Sequence, residues 1–125
     1  MAKGRERHEQ HQQALASLGR NLSRRARNAC ELCETRASLR VVEVAGNPEP
    51  EVDEDWAVLV CERCAGLIGG GQEDPNTLRF LETTMWSECP AVQLSAVRLL
   101  RGLDVVWARQ ALEGLYLDPE LEERL

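Results

Sequence analysis

Aromatic and imidazole side chains are scarce in this chain of 125 residues: Phe, Tyr and Trp make up 4%, and there are 2 His. So few imidazoles leave little material for general bases at neutral pH, or for the mixed His and carboxylate shells of catalytic zinc. Long apolar runs are missing as well. No stretch approaches the roughly eighteen consecutive apolar residues of a membrane span, and the polar start MAKGRERHEQHQQ fits no secretory leader. Positive charge is not in excess either, with 15 Lys and Arg against 21 Asp and Glu for a net charge of −6, so a surface basic all round is excluded. What the chain does have is 5 Cys. Without a leader the expected compartment is the cytoplasm, where closely spaced cysteines are metal ligands or redox thiols rather than disulfides.

The charge is unevenly spread. Residues 1–29 carry Lys3, Arg5, Arg7, Arg20, Arg24, Arg25 and Arg27 against Glu6 and Glu9, a balance of +5, which leaves −11 for the rest. This basic head has no Pro and is rich in helix formers, and Ala14, Leu15, Leu18 and Leu22 recur at helical spacing. It reads as one helix, or two broken near Gly19. Two β-type runs follow, Leu39 to Val44 and Trp56 to Val60, separated by the turn-rich Gly46-Asn47-Pro48-Glu49-Pro50. They predict a hairpin. Ala65 to Ile68 opens a short helix after Cys64, Gly69-Gly70-Gly71 ends it, and GGGQEDPN is the best linker candidate. Beyond it the period is helical: one helix after Pro90, a second after Asp104 as N-cap with Val105, Ala108, Leu112, Leu115 and Tyr116 on one face, and a last turn after Asp118-Pro119. The expected organisation is a helical head over 1–29, a hairpin unit over 30–71 and a helical segment over 72–125, forming one compact domain.

Four of the cysteines stand at the outer ends of the hairpin, as Cys30-Glu31-Leu32-Cys33 and Cys61-Glu62-Arg63-Cys64. A C-x-x-C turn offers two sulfurs from one tight knuckle, and two knuckles complete the tetrahedral shell of Zn²⁺. The 27 residues between Cys33 and Cys61 suit a hairpin with a long tip, which brings its ends together. A redox motif of the thioredoxin type needs a single pair inside a βαβ unit, and none is visible. Four thiolates saturate the metal, so the expected site is one structural Zn²⁺ on Cys30, Cys33, Cys61 and Cys64, with no catalytic residue.

The remaining candidates are weaker. Cys89, before Pro90, is either a reactive thiol or a small buried hydrophobe, and no His stands near it to activate it. His8 and His11 lie three apart on the polar head and read as solvated helix residues. Arg20, Arg24, Arg25 and Arg27 are either nucleic-acid contacts, through phosphates, or a solvated helix face. No aromatic residue is interleaved with them, so base stacking is not expected there.

The stretches ARNACELCETRASLRVVEV, VLVCERC, LRFLETTMWSECPAVQLSAVRLLRGL and ALEGLYLDPE together resemble the PhnA-like proteins that carry an amino-terminal zinc-ribbon segment. The resemblance spans nearly the whole chain, and its most specific pieces are the CELC knuckle, Met85-Trp86-Ser87-Glu88, Pro90-Ala91-Val92-Gln93 and Leu115-Tyr116-Leu117-Asp118. It implies zinc on the four paired cysteines, a bacterial cytoplasmic setting and a family name taken from alkylphosphonate-utilisation operons. It implies no phosphonate hydrolysis, since the Asp and His cluster for two catalytic metals is missing. Many PhnA-like proteins also end in a small β-rich domain, where this chain ends at Leu125. A looser likeness joins the hairpin to HNH nucleases, but the first strand, Val41 to Ala45, holds no His, and Ala65 follows the second knuckle. A shared zinc scaffold is the most that likeness implies.

The expected protein is therefore a small zinc-stabilised α+β fold: a zinc-ribbon or treble-clef-like hairpin between an N-terminal helix and a C-terminal helical hairpin containing Trp86 and Trp107. Its expected role is a non-enzymatic module for a protein or nucleic-acid partner, with no membrane and no small-molecule substrate in view. The alternative is an enzyme or accessory factor of phosphonate metabolism.

Overall fold

The structure, a computed structural model, describes residues 2–125, with side chains from His8 onward. Residue 1 and the side chains of Lys3, Arg5, Glu6 and Arg7 in the basic head lie outside what it describes. Helix α1 runs unbroken over Ala2–Ala26, passing through Gly19. The glycine marks a close approach, because a β-carbon there would stand 3.4 Å from Val41 Cγ2.

Strands β1 (Leu39–Glu43) and β2 (Ala57–Cys61) pair antiparallel, Leu39 opposite Cys61 and Glu43 opposite Ala57. Every residue of β2 is buried, although an antiparallel hairpin commonly leaves one face in water. The unbroken apolar run Ala57-Val58-Leu59-Val60 suits a strand covered on both sides. Val58 and Val60 enter the main core, whereas Ala57 and Leu59 pack with Leu18 and Leu22 of α1. Burying those two leucines contributes about 4 kcal/mol to the docking of α1.

Helix α2 (Glu62–Ile68) starts earlier than its sequence suggests, with Cys61 at the N-cap and Cys64 inside the first turn. Strand passes into helix without a loop because Cys61 is still extended while Glu62 is already helical. The glycines after it end the helix as expected but do not form a free linker. Gly70 takes φ +101°, and Gly71 N–H donates to Gly66 O at 2.8 Å, so close that a β-carbon on Gly71 would collide with that oxygen. Arg63 holds the following loop through Glu73 (2.9 Å) and Thr77 O (2.9 Å).

A 3-10 turn over Pro75–Leu78 leads to the short α3 (Leu81–Thr84), then α4 (Pro90–Gly102), α5 (Val106–Glu113) and α6 (Pro119–Arg124). Helix α4 is the centre of the molecule: its buried face, including Val92, Leu94, Val97 and Leu100, packs against β2, α2, α3, α5 and α6. Asp118 caps α6 as expected, accepting from Glu120 N–H at 3.0 Å, with Pro119 in the first turn. Asp104 does not cap α5. The helix begins one residue later than expected, Val105 takes the N-cap, and the Asp104 carboxylate pairs with Arg109 at 2.5 Å. Tyr116 falls beyond the end of α5 and is 85% exposed, so the helical face read from the sequence runs out before it. Trp86 sits in the turn before α4 and is 54% exposed, outside the helical pair that Trp107 joins. Among the described residues, no helix is long and apolar enough to cross a membrane.

Candidate metal centre

The first knuckle is a turn wedged between α1, β2 and α3. After α1, Arg27 and Asn28 take left-handed backbone (φ 56° and 57°) and send the chain back toward β2. Cys30 N–H then donates to Thr35 O at 2.8 Å and Glu34 N–H to Cys30 O at 2.9 Å, closing the turn around Glu34, itself at φ 67°. Cys33 N–H points at Cys30 Sγ at 3.5 Å. Glu31 covers the edge of β2 that β1 leaves free: its N–H donates to Leu59 O at 2.9 Å, and its Oε1 accepts from Leu59 N–H at 2.8 Å. Unpaired strand edges are otherwise a liability. Thr84 Oγ1 of α3 donates to Leu32 O at 2.6 Å, fixing the middle of the knuckle from the other side.

The second knuckle is the first turn of α2. Cys61 and Cys64, three residues apart on a helix start, fall on one side, toward the core, and both are buried, while Glu62 and Arg63 between them are exposed.

Hairpin pairing brings the two knuckles together. The sulfurs of Cys30, Cys33, Cys61 and Cys64 all lie within 4.8 Å of one another, and Cys33 Sγ stands 3.7 Å from Cys61 Sγ. A tetrahedral zinc with Zn–S bonds near 2.3 Å has sulfur–sulfur edges of about 3.8 Å. The four donors are all sulfur, all free thiols, and grouped closely enough for one such ion, with the Cys33–Cys61 pair at its edge length. They can hold one metal ion. Cys33 and Cys61 also line an open hollow of about 330 Å³ with Thr35, Ser38 and Arg63, which gives the site a path to solvent.

The thiols differ in readiness. The Cys30 thiol is lowered to about 4, chiefly by a hydrogen bond from Cys64. The Cys64 thiol is pushed up far beyond its usual range by that same hydrogen bond to Cys30 and by burial. Burial also raises Cys33. The thiols therefore hold their protons unequally, and those protons leave when a cation compensates the clustered negative charge.

The arginines of α1 separate by helical phase. Leu18, Leu22 and Arg25 follow an i, i+4, i+7 stripe and face the hairpin, while Arg20 and Arg24, four residues apart, lie on another face and are exposed, as is Arg27 just past the helix end. Arg25 is used inside the fold. Its Nε and Nη2 hold the two Glu31 carboxylate oxygens at 2.9 and 2.8 Å, and it donates also to Glu54 O and Ala57 O, each at 2.9 Å. Burial opposes its charge, but the hydrogen bond and charge of Glu31 outweigh that, and the guanidinium pKa is raised. His8 is exposed, and His11 pairs with Glu43 at 3.0 Å, tying α1 to the end of β1. Cys89 is half-buried at the N-cap of α4 against the main core and is not part of the sulfur cluster.

Glu31 and Thr84 escaped the sequence reading. A Glu inside a C-x-x-C and a Thr on a short helix carry no periodic signal. The phase of Arg25 with Leu18 and Leu22 was the one clue that an arginine of the head faces inward. No protein-family model, curated protein or solved structure matches the chain.

Proposed function

We propose that the chain is a non-enzymatic interaction module whose hairpin is held by one structural Zn²⁺ on Cys30, Cys33, Cys61 and Cys64. The observation that carries this reading is the convergence of four thiols within 4.8 Å from two separate elements. Four thiolates leave no coordination position for water or substrate, and His11 is engaged with Glu43 well outside the cluster, so the metal's contribution is to folding rather than to chemistry. The helix that opens on the second knuckle supports a treble-clef-like unit over a ribbon with two loop knuckles. The resemblance to PhnA-like proteins, and with it a reducing cytoplasmic setting, belongs to this proposal and rests on the CELC, MWSE, PAVQ and LYLD pieces of the sequence.

Elemental analysis of the purified chain is expected to return one zinc per chain, lost together with the fold on chelation. Iron in its place overturns the metal assignment. A second metal needed for activity, or turnover of any member of a phosphonate panel, overturns the non-enzymatic reading.

A further inference from the structure

We infer that the exposed arginine stripe of α1 runs on into the hollow beside the first knuckle, and that Arg20, Arg24, Arg27 and Arg36 together bind the phosphate backbone of duplex nucleic acid. The inference rests on the reading of the chain as an interaction module and gives that module a face and a ligand class.

Three observations converge on this surface. Arg20 and Arg24, four residues apart, share one exposed face of α1, and Arg27, just past the helix end at Ala26, is exposed beside them, while the opposite flank is docked on the hairpin. Arg27 also lines an open hollow of about 470 Å³ whose other walls include Arg36, Glu34, Ser87 and Cys89. Among the described residues, none of these four arginines is in an ion pair; the paired cations are His11, Arg25, Arg63, Arg79 and Arg109. Arg25 reaches the same hollow but is neutralised by Glu31, so it belongs to the wall and not to the ligand set. Glu34 is the opposing charge within the hollow.

The distribution of charge makes the surface directional. A −11 body behind a +5 head disfavours polyanions over the body as a whole and favours their approach along the head and the adjoining Arg36. No aromatic side chain stands in the stripe or lines the hollow. Without stacking platforms, phosphate contacts carry the binding, which favours an intact duplex over splayed single strands and gives no base specificity.

The test titrates the zinc-loaded full chain against a mixed-sequence duplex of about 20 base pairs, from about 50 to 200 mM salt. Four phosphate contacts predict a slope of log K against log salt near −3.6, so affinity falls by about a hundredfold across that range. Changing Arg20, Arg24, Arg27 and Arg36 together to Gln abolishes binding. Arg36→Gln alone reduces the slope by about 1, while Arg36→Lys retains it. Glu34→Gln tightens binding, and Arg101→Gln, at the far end of α4 from the hollow, leaves it unchanged. Zinc content and thermal melting are measured on every variant. No binding at low salt by a zinc-loaded, folded chain overturns the inference and leaves the structural-zinc reading standing, as does binding that survives the quadruple change. Tighter binding of single strands overturns the choice of duplex, and salt-sensitive self-association in place of duplex binding assigns the stripe to the acidic body of a second copy. A folded chain without zinc overturns the module reading itself.

Discussion

The two knuckles share the pattern Cys-Glu-x-Cys and deliver the same pair of sulfurs, yet their surroundings are nearly opposite. In the first, Glu31 and Leu32 both turn inward: the Glu31 side chain is 6% exposed, and Leu32 lies in the core. In the second, Glu62 and Arg63 both turn outward. The cause is local geometry. The second knuckle is a helix start, where residues i and i+3 share a face and the two between them must point away. The first knuckle is an irregular turn with no such rule, and its shape comes from groups brought from elsewhere: Arg25 on α1, Leu59 on β2 and Thr84 on α3. One knuckle is shaped by secondary structure and the other by tertiary contacts. The proposed metal is what would join them.

The largest effect comes from removing that link. If zinc fills the site as proposed, Cys64→Ser, or chelation of the wild-type chain, is expected to release it and unfold residues 30–68, because structural zinc sites carry apparent binding free energies of about 10 kcal/mol or more, comparable to the whole stability of a small domain. Far-UV circular dichroism and zinc stoichiometry check this. Full zinc content with unchanged melting in Cys64→Ser would dissolve the comparison, since the second knuckle would then stand without metal.

The next change separates the knuckles. Glu31→Gln leaves the partly buried Arg25 without its counter-ion and is expected to cost about 2–3 kcal/mol, below the range for a fully buried pair because the Arg25 side chain is 25% exposed and keeps its bonds to Glu54 O and Ala57 O. Glu62→Gln, at the equivalent position of the second knuckle, is expected to change stability by less than about 0.5 kcal/mol. Equal effects in denaturant melts would show that the two glutamates are alike in weight despite their different burial.

This contrast also explains what could be read from the sequence. The hairpin, the helices after Pro90 and Asp118 and the four ligand candidates are written in periodicity and spacing, which are local signals. The continuous α1 is local too, and only Gly19 obscured it. Thr84 was illegible because Leu32 lies 52 residues away, and Glu31 because Leu59 lies 28 away and Arg25, though only 6 away, meets it across the end of α1, where no helical period links the two. The start of α2 was misplaced for a related reason: a Cys pair looks the same in sequence whether it occupies a loop or a helix's first turn.

Thr84→Val tests the third support of the first knuckle. The methyl replaces the hydroxyl at nearly constant volume and leaves Leu32 O without its short hydrogen bond, for an expected loss of about 1 kcal/mol with zinc content unchanged. A loss of zinc would mean that α3 sets the position of Cys30 and Cys33 more directly than its single contact implies.

The smallest expected effect has the opposite sign. Glu34, immediately after the first knuckle, is held at φ 67°, a region that costs a residue with a β-carbon roughly 1 kcal/mol or more and that glycine occupies freely. Its N–H must reach Cys30 O to close the turn, so the conformation cannot relax while the knuckle is intact. The second knuckle has no counterpart, because the residue after Cys64 is Ala65, buried and helical within α2. Glu34→Gly is therefore expected to stabilise the protein by about 1 kcal/mol, less a few tenths for the added freedom of glycine in the unfolded chain. Ala65→Gly is expected to destabilise it by a similar amount, since there the glycine interrupts a helix. Thermal melting of the two zinc-loaded variants decides the matter. If both substitutions move stability in the same direction, the first knuckle is not strained at Glu34, and the difference between a turn shaped from outside and a turn shaped by a helix loses its energetic content.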